Sequence, residues 1–104
     1  MWKPGTPVTL AATDTAEQLT SSVGLVKAIK FRQYWNNANR IYWGNSTLAP
    51  TTPTGVLGWL QPPSGALAPV EDVEEQDAPN GINANDIYVA GTAGEVILWS
   101  YLEQ

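Results

Sequence analysis

Five carboxylates crowd one short stretch of this chain: Glu71, Asp72, Glu74, Glu75 and Asp77. Oxygen ligands at that density suit a hard cation such as calcium. Two of them drawn together could serve as acid and base on a glycosidic bond. The spacing selects neither chemistry. It does not match an EF-hand loop, no glycine sits at its turn, and no one pair of acids stands out, so the run reads as a solvated acidic loop. The second concentration of chemistry is tryptophan, with five in 104 residues. Indoles held on the loops of a β domain stack on sugars or anchor protein interfaces. Trp35 borders an Asn-rich loop and Trp59 stands among prolines and glycines, so both are candidates; Trp43 and Trp99 lie in strand-like runs and read as core or sheet-face residues. For Trp59 two readings stay open, an interface anchor and a lid over an open end of the domain.

Composition narrows the field further. The chain has no Cys and no His. Disulfides, thiolate nucleophiles, Ser-His-Asp and Cys-His arrangements and ordinary zinc sites are therefore excluded. The glycines form no phosphate-cradling pattern. No catalytic residue, cofactor site or metal site is expected, and the chain reads as a non-enzyme. Net charge is −5 and unevenly spread: all five bases (Lys3, Lys27, Lys30, Arg32, Arg40) precede residue 41, whereas the remainder holds eight acids and no base. An acidic chain without a basic stripe is a poor nucleic-acid binder. The segregation suits either pairing of the two halves within one chain or docking on a neighbour through Lys30 and Arg32. No apolar run approaches the length of a membrane span, and the start lacks the apolar region of a secretory signal, so folding in a cytosol is expected. Asn45-Ser46-Thr47 then reads as turn chemistry rather than a glycosylation site.

The elements that must position these residues are strands. Residues 1–7 hold two prolines and a glycine and read as an extended N-terminal arm, with Trp2 either tucked onto its own domain or docked on another. Residues 8–104 read as a single domain. Val8–Ala11 and Gln18–Ser22 are short strand candidates about a polar turn. Leu25–Tyr34 is the strongest strand, with Ile29 and Phe31 inward, Lys30 and Arg32 outward, and Lys27 breaking the alternation. Ile41–Gly44 follows, with Ile41 and Trp43 on one face, and 45–55 is a Ser/Thr/Pro connection. Val56–Leu60 allows one short strand between two groups of breakers. Residues 71–85 read as irregular. Ile87–Ala90 and Val96–Leu102 close the domain as a hairpin about Gly91-Thr92-Ala93-Gly94. About seven short strands with frequent turns predict an all-β fold, an antiparallel sandwich of jelly-roll type, with a small closed barrel second.

The order of phrases carries a resemblance. Val26–Phe31 leads through an Asn-rich turn to Ile41-Tyr42-Trp43-Gly44-Asn45-Ser46; a Gly/Pro loop follows, then Asp86-Ile87-Tyr88-Val89 and a Gly turn into the last strand. Over 23–102 this resembles small β-sandwich structural proteins of tailed bacteriophage virions, of the capsid decoration or cement type, although the Trp- and Pro-rich stretch 53–65 departs from their plainer turn. The resemblance implies no activity and no cofactor. It implies a subunit on the capsid surface, made in the host cytoplasm, that binds the major capsid protein as a homo-oligomer, with a trimer favoured. No membrane or nucleic-acid partner is expected. The candidate interface residues are Trp2, Lys30, Arg32, Trp35, Leu57, Trp59 and Leu60. The alternative is a tail-fibre or carbohydrate-binding module that stacks sugars on Trp35 and Trp59. Fibre modules are parts of longer chains, so a chain running from its own Met to its last strand favours the stand-alone subunit.

Overall fold

The computed structural model describes residues 2–60, 72–76 and 81–103, with 72–76 described by backbone alone. Alternating β-branched and aromatic residues become strands β1 (Trp2–Pro4), β2 (Val8–Thr9), β3 (Glu17–Gln18), β4 (Leu25–Val26), β5 (Ala28–Gln33), β6 (Ile41–Ala49), β7 (Thr54–Leu60), β8 (Asp72–Gln76), β9 (Ile82–Asn83), β10 (Tyr88–Ala90) and β11 (Val96–Leu102). One sheet has the order β1-β11-β5-β8, with β2 continuing β1 along β11; the other has the order β3-β10-β6-β7; β4 and β9 form a small third sheet. Every ladder is antiparallel. The fold is all-β and sandwich-like, as the alternation predicts. Its core joins Ile29, Phe31, Ile97 and Trp99 of the first sheet to Leu19, Ile41, Trp43, Leu60 and Val89 of the second. The Phe31 and Trp43 rings meet between the layers, their centroids 5.3 Å apart.

Two tryptophans lie where glycine leaves room. A Cβ at Gly58, the cross-strand partner of Trp43, would come within 2.7 Å of the indole Nε1. A Cβ at Gly5 would fall inside the Trp99 ring. The arm expected over residues 1–7 is extended, and its residues 2–4 form an edge strand. Trp2, Lys3 and Pro4 pair with Leu102, Tyr101 and Ser100; Gly5 N–H donates to the Trp99 carbonyl at 2.9 Å; and Trp99 Nε1 donates to the Thr6 carbonyl at 2.7 Å. The prolines are tolerated because the segment is an edge strand, where a missing amide costs no ladder bond on the open side.

The expected hairpin at 91–94 is also corrected. β10 and β11 lie in opposite sheets, and so do β2 and β3. Each segment carries core residues that need a different layer, so 10–16 and 91–95 both cross the gap. These crossings bond to each other: Asp14 N–H donates to Gly91 O, Leu10 N–H to Glu95 O, Gly94 N–H to Leu10 O, and Ala93 N–H to Thr13 Oγ1. The strand expected over 25–34 divides at Lys27, the residue that broke its alternation, into β4 and β5. β6 runs on to Ala49 through irregular pairing, with Asn45 Oδ1 accepting from Thr47 N–H at 2.9 Å. The acidic run is a strand over 72–76 rather than a loop, and the ladder of β5 supplies the reason. Glu71, Asp77 and the Pro62–Gly65 part of the breaker-rich stretch lie outside the described residues.

Replacing Gly5 by Ala must displace either the Trp99 ring or the edge strand. Gly5→Ala is expected to cost about 1–3 kcal/mol in urea unfolding, as overpacked cores do, with amide-exchange protection lost first at residues 3–6.

Candidate functional site

The seven candidate residues do not converge on one site. Trp2, Lys30 and Arg32 share the outer face of the first sheet. There Pro4, Lys30, Arg32, Leu98 and Ser100 line a shallow groove of about 280 Å³. Lys30 Nζ stands 4.6 Å above the centre of the Trp2 ring, which is 37% exposed. Trp2 is therefore tucked against its own domain, held by an attraction worth roughly 0.5–1 kcal/mol at an exposed site. The Lys3 ammonium at the same edge pairs with Glu103, whose hydrogen bond and charge raise its pKa.

The register of β8 bears on the charge segregation. Lys30 is the Cα partner of Glu74, and Arg32 that of Asp72. Opposite charges facing each other across a ladder stabilise it by a few tenths of a kcal/mol to about 1 kcal/mol per pair, and like charges do the reverse. Acidic residues are otherwise poor strand formers; the register sets Asp72 and Glu74 opposite the two bases of β5, and Val73 opposite Phe31. This favours pairing of the two halves within one chain over the docking of Lys30 and Arg32 on a neighbour.

Trp35 is the most exposed of the tryptophans, at 69%, on a turn that is nonetheless held rigidly. Its ring lies against Tyr34, centroids 5.5 Å apart. Two buried amides fix the turn. Asn37 Nδ2 donates to Gln33 Oε1 at 2.8 Å and to the Val96 carbonyl at 2.6 Å, while Asn37 Oδ1 accepts from Val96 N–H at 3.1 Å. Gln33 Nε2 donates to the carbonyls of Leu60 and Asn39. The Glu95 carboxylate accepts from the amides of Ala38 and Asn39. Sequence reasoning took the asparagines for turn formers and missed that Asn37 mimics a strand partner of Val96. The available signal was Gln33 at an inward position of β5.

On the second sheet, Leu57 is 63% and Trp59 50% exposed, whereas Leu60 is fully buried. Leu60, expected at an interface, is corrected to a core residue: alternation points Trp59 out and Leu60 in, beside Ile41. Trp59 is the cross-strand partner of Tyr42, and the Arg40 guanidinium lies 5.3 Å from its ring centre. Between Val56 and Gly58 the ladder slips by one residue, so Leu57 is a bulge residue pushed toward solvent. Tyr42, Val56, Leu57 and Trp59 thus form a largely apolar strip along β6 and β7, with Arg40 its only charge among the described residues. Among the described residues, no cluster of three or more His, Cys, Asp or Glu is placed to hold a metal ion.

Reversing both bases tests the charge pairing. Lys30→Glu with Arg32→Glu sets like charges across the β5–β8 ladder and is expected to destabilise the domain by about 1–2 kcal/mol over the two pairs. Adding Asp72→Lys and Glu74→Lys should restore most of the loss in thermal unfolding. If stability is unchanged while self-association weakens, the bases serve a neighbour instead.

Neither a family model, nor a curated protein, nor a solved structure matches this chain.

Proposed function

We propose that the protein is a non-enzymatic structural subunit of a virion, a capsid decoration or cement protein that binds the major capsid protein. The observation that carries a binding role is the strip of Leu57 and Trp59, large apolar side chains held half or more exposed on a sheet rather than on a loose loop. Single exposed apolar residues are ordinary on a protein surface; a contiguous strip of them marks a place where another surface fits. The setting in a virion rests on the resemblance of Val26–Phe31, Ile41–Ser46 and Asp86–Val89 to phage structural proteins. Its action would be mechanical. A subunit that binds only the assembled shell stabilises it by mass action, without chemistry.

Trp35, on its hydrogen-bonded turn, keeps a second reading in view: a receptor- or carbohydrate-binding module, because an exposed indole is a platform for a sugar ring. The two readings separate cleanly. Trp59→Ala is expected to weaken co-sedimentation with shells of the major capsid protein by roughly thirtyfold, the equivalent of about 2 kcal/mol for an interface tryptophan, while circular dichroism stays β-type. Trp35→Ala should leave shell binding intact. Unaltered shell binding by Trp59→Ala, together with a glycan affinity lost in Trp35→Ala, would replace the capsid reading with the carbohydrate one.

A further inference from the structure

Among the described residues the two main sheets present four edges, one of them shared by β1 and the two-residue β2, and an edge offers unpaired N–H and C=O groups to any extended chain. Three of these edges are guarded. β1 is three residues long and contains Lys3, paired with Glu103, and Pro4. β3 is two residues long and one of them is Glu17. β8 carries Asp72, Glu74 and Glu75 in five residues. The fourth, β7, is seven residues of Thr-Gly-Val-Leu-Gly-Trp-Leu, with neither charge nor proline. Its backbone beyond β6 makes a single described contact, at the Leu60 carbonyl, which accepts from Gln33.

We propose that β7 pairs with β7 of a second copy, antiparallel about a twofold axis, joining two four-stranded sheets into one. The inference rests on the reading of Leu57 and Trp59 as a protein-binding surface, and names another copy of this chain as the partner. Charge permits that partner. Two chains of net charge −5 repel, and among the described edge strands β7 is the longest and carries no charged residue, so two copies meet along it without opposing acids. Identical antiparallel strands also satisfy each other's open backbone groups and close the assembly, so no filament grows. The bulge limits regular pairing to the part of β7 from Leu57 onward. Centring the axis on Gly58 sets the two Gly58 backbones together, with no side chain between them because each glycine's inner side is filled by its own Trp43. Leu57 of each copy then lies across from Trp59 of the other on the exposed face, an aliphatic–aromatic pair of the kind that stabilises ladders. The unit so built is a dimer, not the trimer that the resemblance implies.

Sedimentation equilibrium of the purified chain over a wide concentration range tests this. A monomer–dimer equilibrium is expected. Leu57→Glu and Trp59→Lys should each weaken it by about tenfold or more, the equivalent of about 1.4 kcal/mol, and mixing the two variants should recover association, since the register sets the introduced opposite charges across from one another. Because the chain has no cysteine, a second measurement needs no background correction: Leu57→Cys mixed with Trp59→Cys should cross-link under mild oxidation faster than either alone. A wild type that stays monomeric or sediments as a trimer overturns the pairing, as does a mixture that neither re-associates nor cross-links preferentially. A monomer that still binds capsid shells through Trp59 overturns the pairing and leaves the capsid reading standing. A β7 dimer indifferent to the shells does the opposite.

Discussion

The arrangement depends on indole rings laid against glycine backbone. Trp43 and Trp99 are the largest side chains of the core, and each fits because the neighbouring position has no Cβ: Gly58 under one, Gly5 against the other. Close packing leaves no slack for a methyl group at either place. The consequences run outward from there. Because Trp43 fills the space inside β7 at Gly58, that strand contributes little to the core between its bulge and Leu60, and its bulky groups Leu57 and Trp59 stand on the solvent side. Because Trp99 accepts Gly5 at van der Waals distance and donates its Nε1 proton to Thr6, a terminal segment with two prolines becomes the edge of a sheet.

The sequence made strand existence and facing legible, and pairing illegible. Ile29 and Phe31 alternate with Lys30 and Arg32, and the chain buries the first pair and turns the second outward, as period-2 geometry demands. Alternation is a local property. It states which face of a strand is apolar, not which strand lies beside it, so 88–90 and 96–102 looked like a hairpin while belonging to different layers. The acidic strand was hidden for a related reason. Within 72–76 only Val73 favours a strand, and the bases in register with Asp72 and Glu74 lie some forty residues away on β5. Among the candidate site residues, alternation alone would have separated Trp59 from Leu60. Nothing local could have shown that Trp2 lies beneath Lys30.

The buried polar groups give the end of the sandwich its definition. Gln33 and Asn37 are nearly inaccessible, and their amides tie the 34–39 turn, β5, β7 and β11 together through five hydrogen bonds, two of them between the turn and β5. A hydrophobic substitute could fill the same volume. It could not supply the acceptor that the Val96 N–H finds in Asn37 Oδ1 or the acceptor that Asn37 Nδ2 finds in Gln33 Oε1, and leaving a buried polar group unpaired costs roughly 1–3 kcal/mol. This turn is thus ordered by directional bonds rather than by area.

β11 is a central strand of its sheet and yet follows every other strand in the chain. During synthesis the first sheet lacks one of its two middle strands until residue 102 has been made: β1, β2 and β5 all pair with it, although the β5–β8 ladder can precede it. The second sheet cannot shelter its apolar face in the meantime, because that face packs on the first. Folding is consequently a single late event with distant partners, slow for a chain of this length, and the nascent chain carries its uncharged β7 segment unshielded throughout. A ribosome that stalls a few codons short of β11 leaves no smaller folded domain behind it, only a chain for the quality-control machinery.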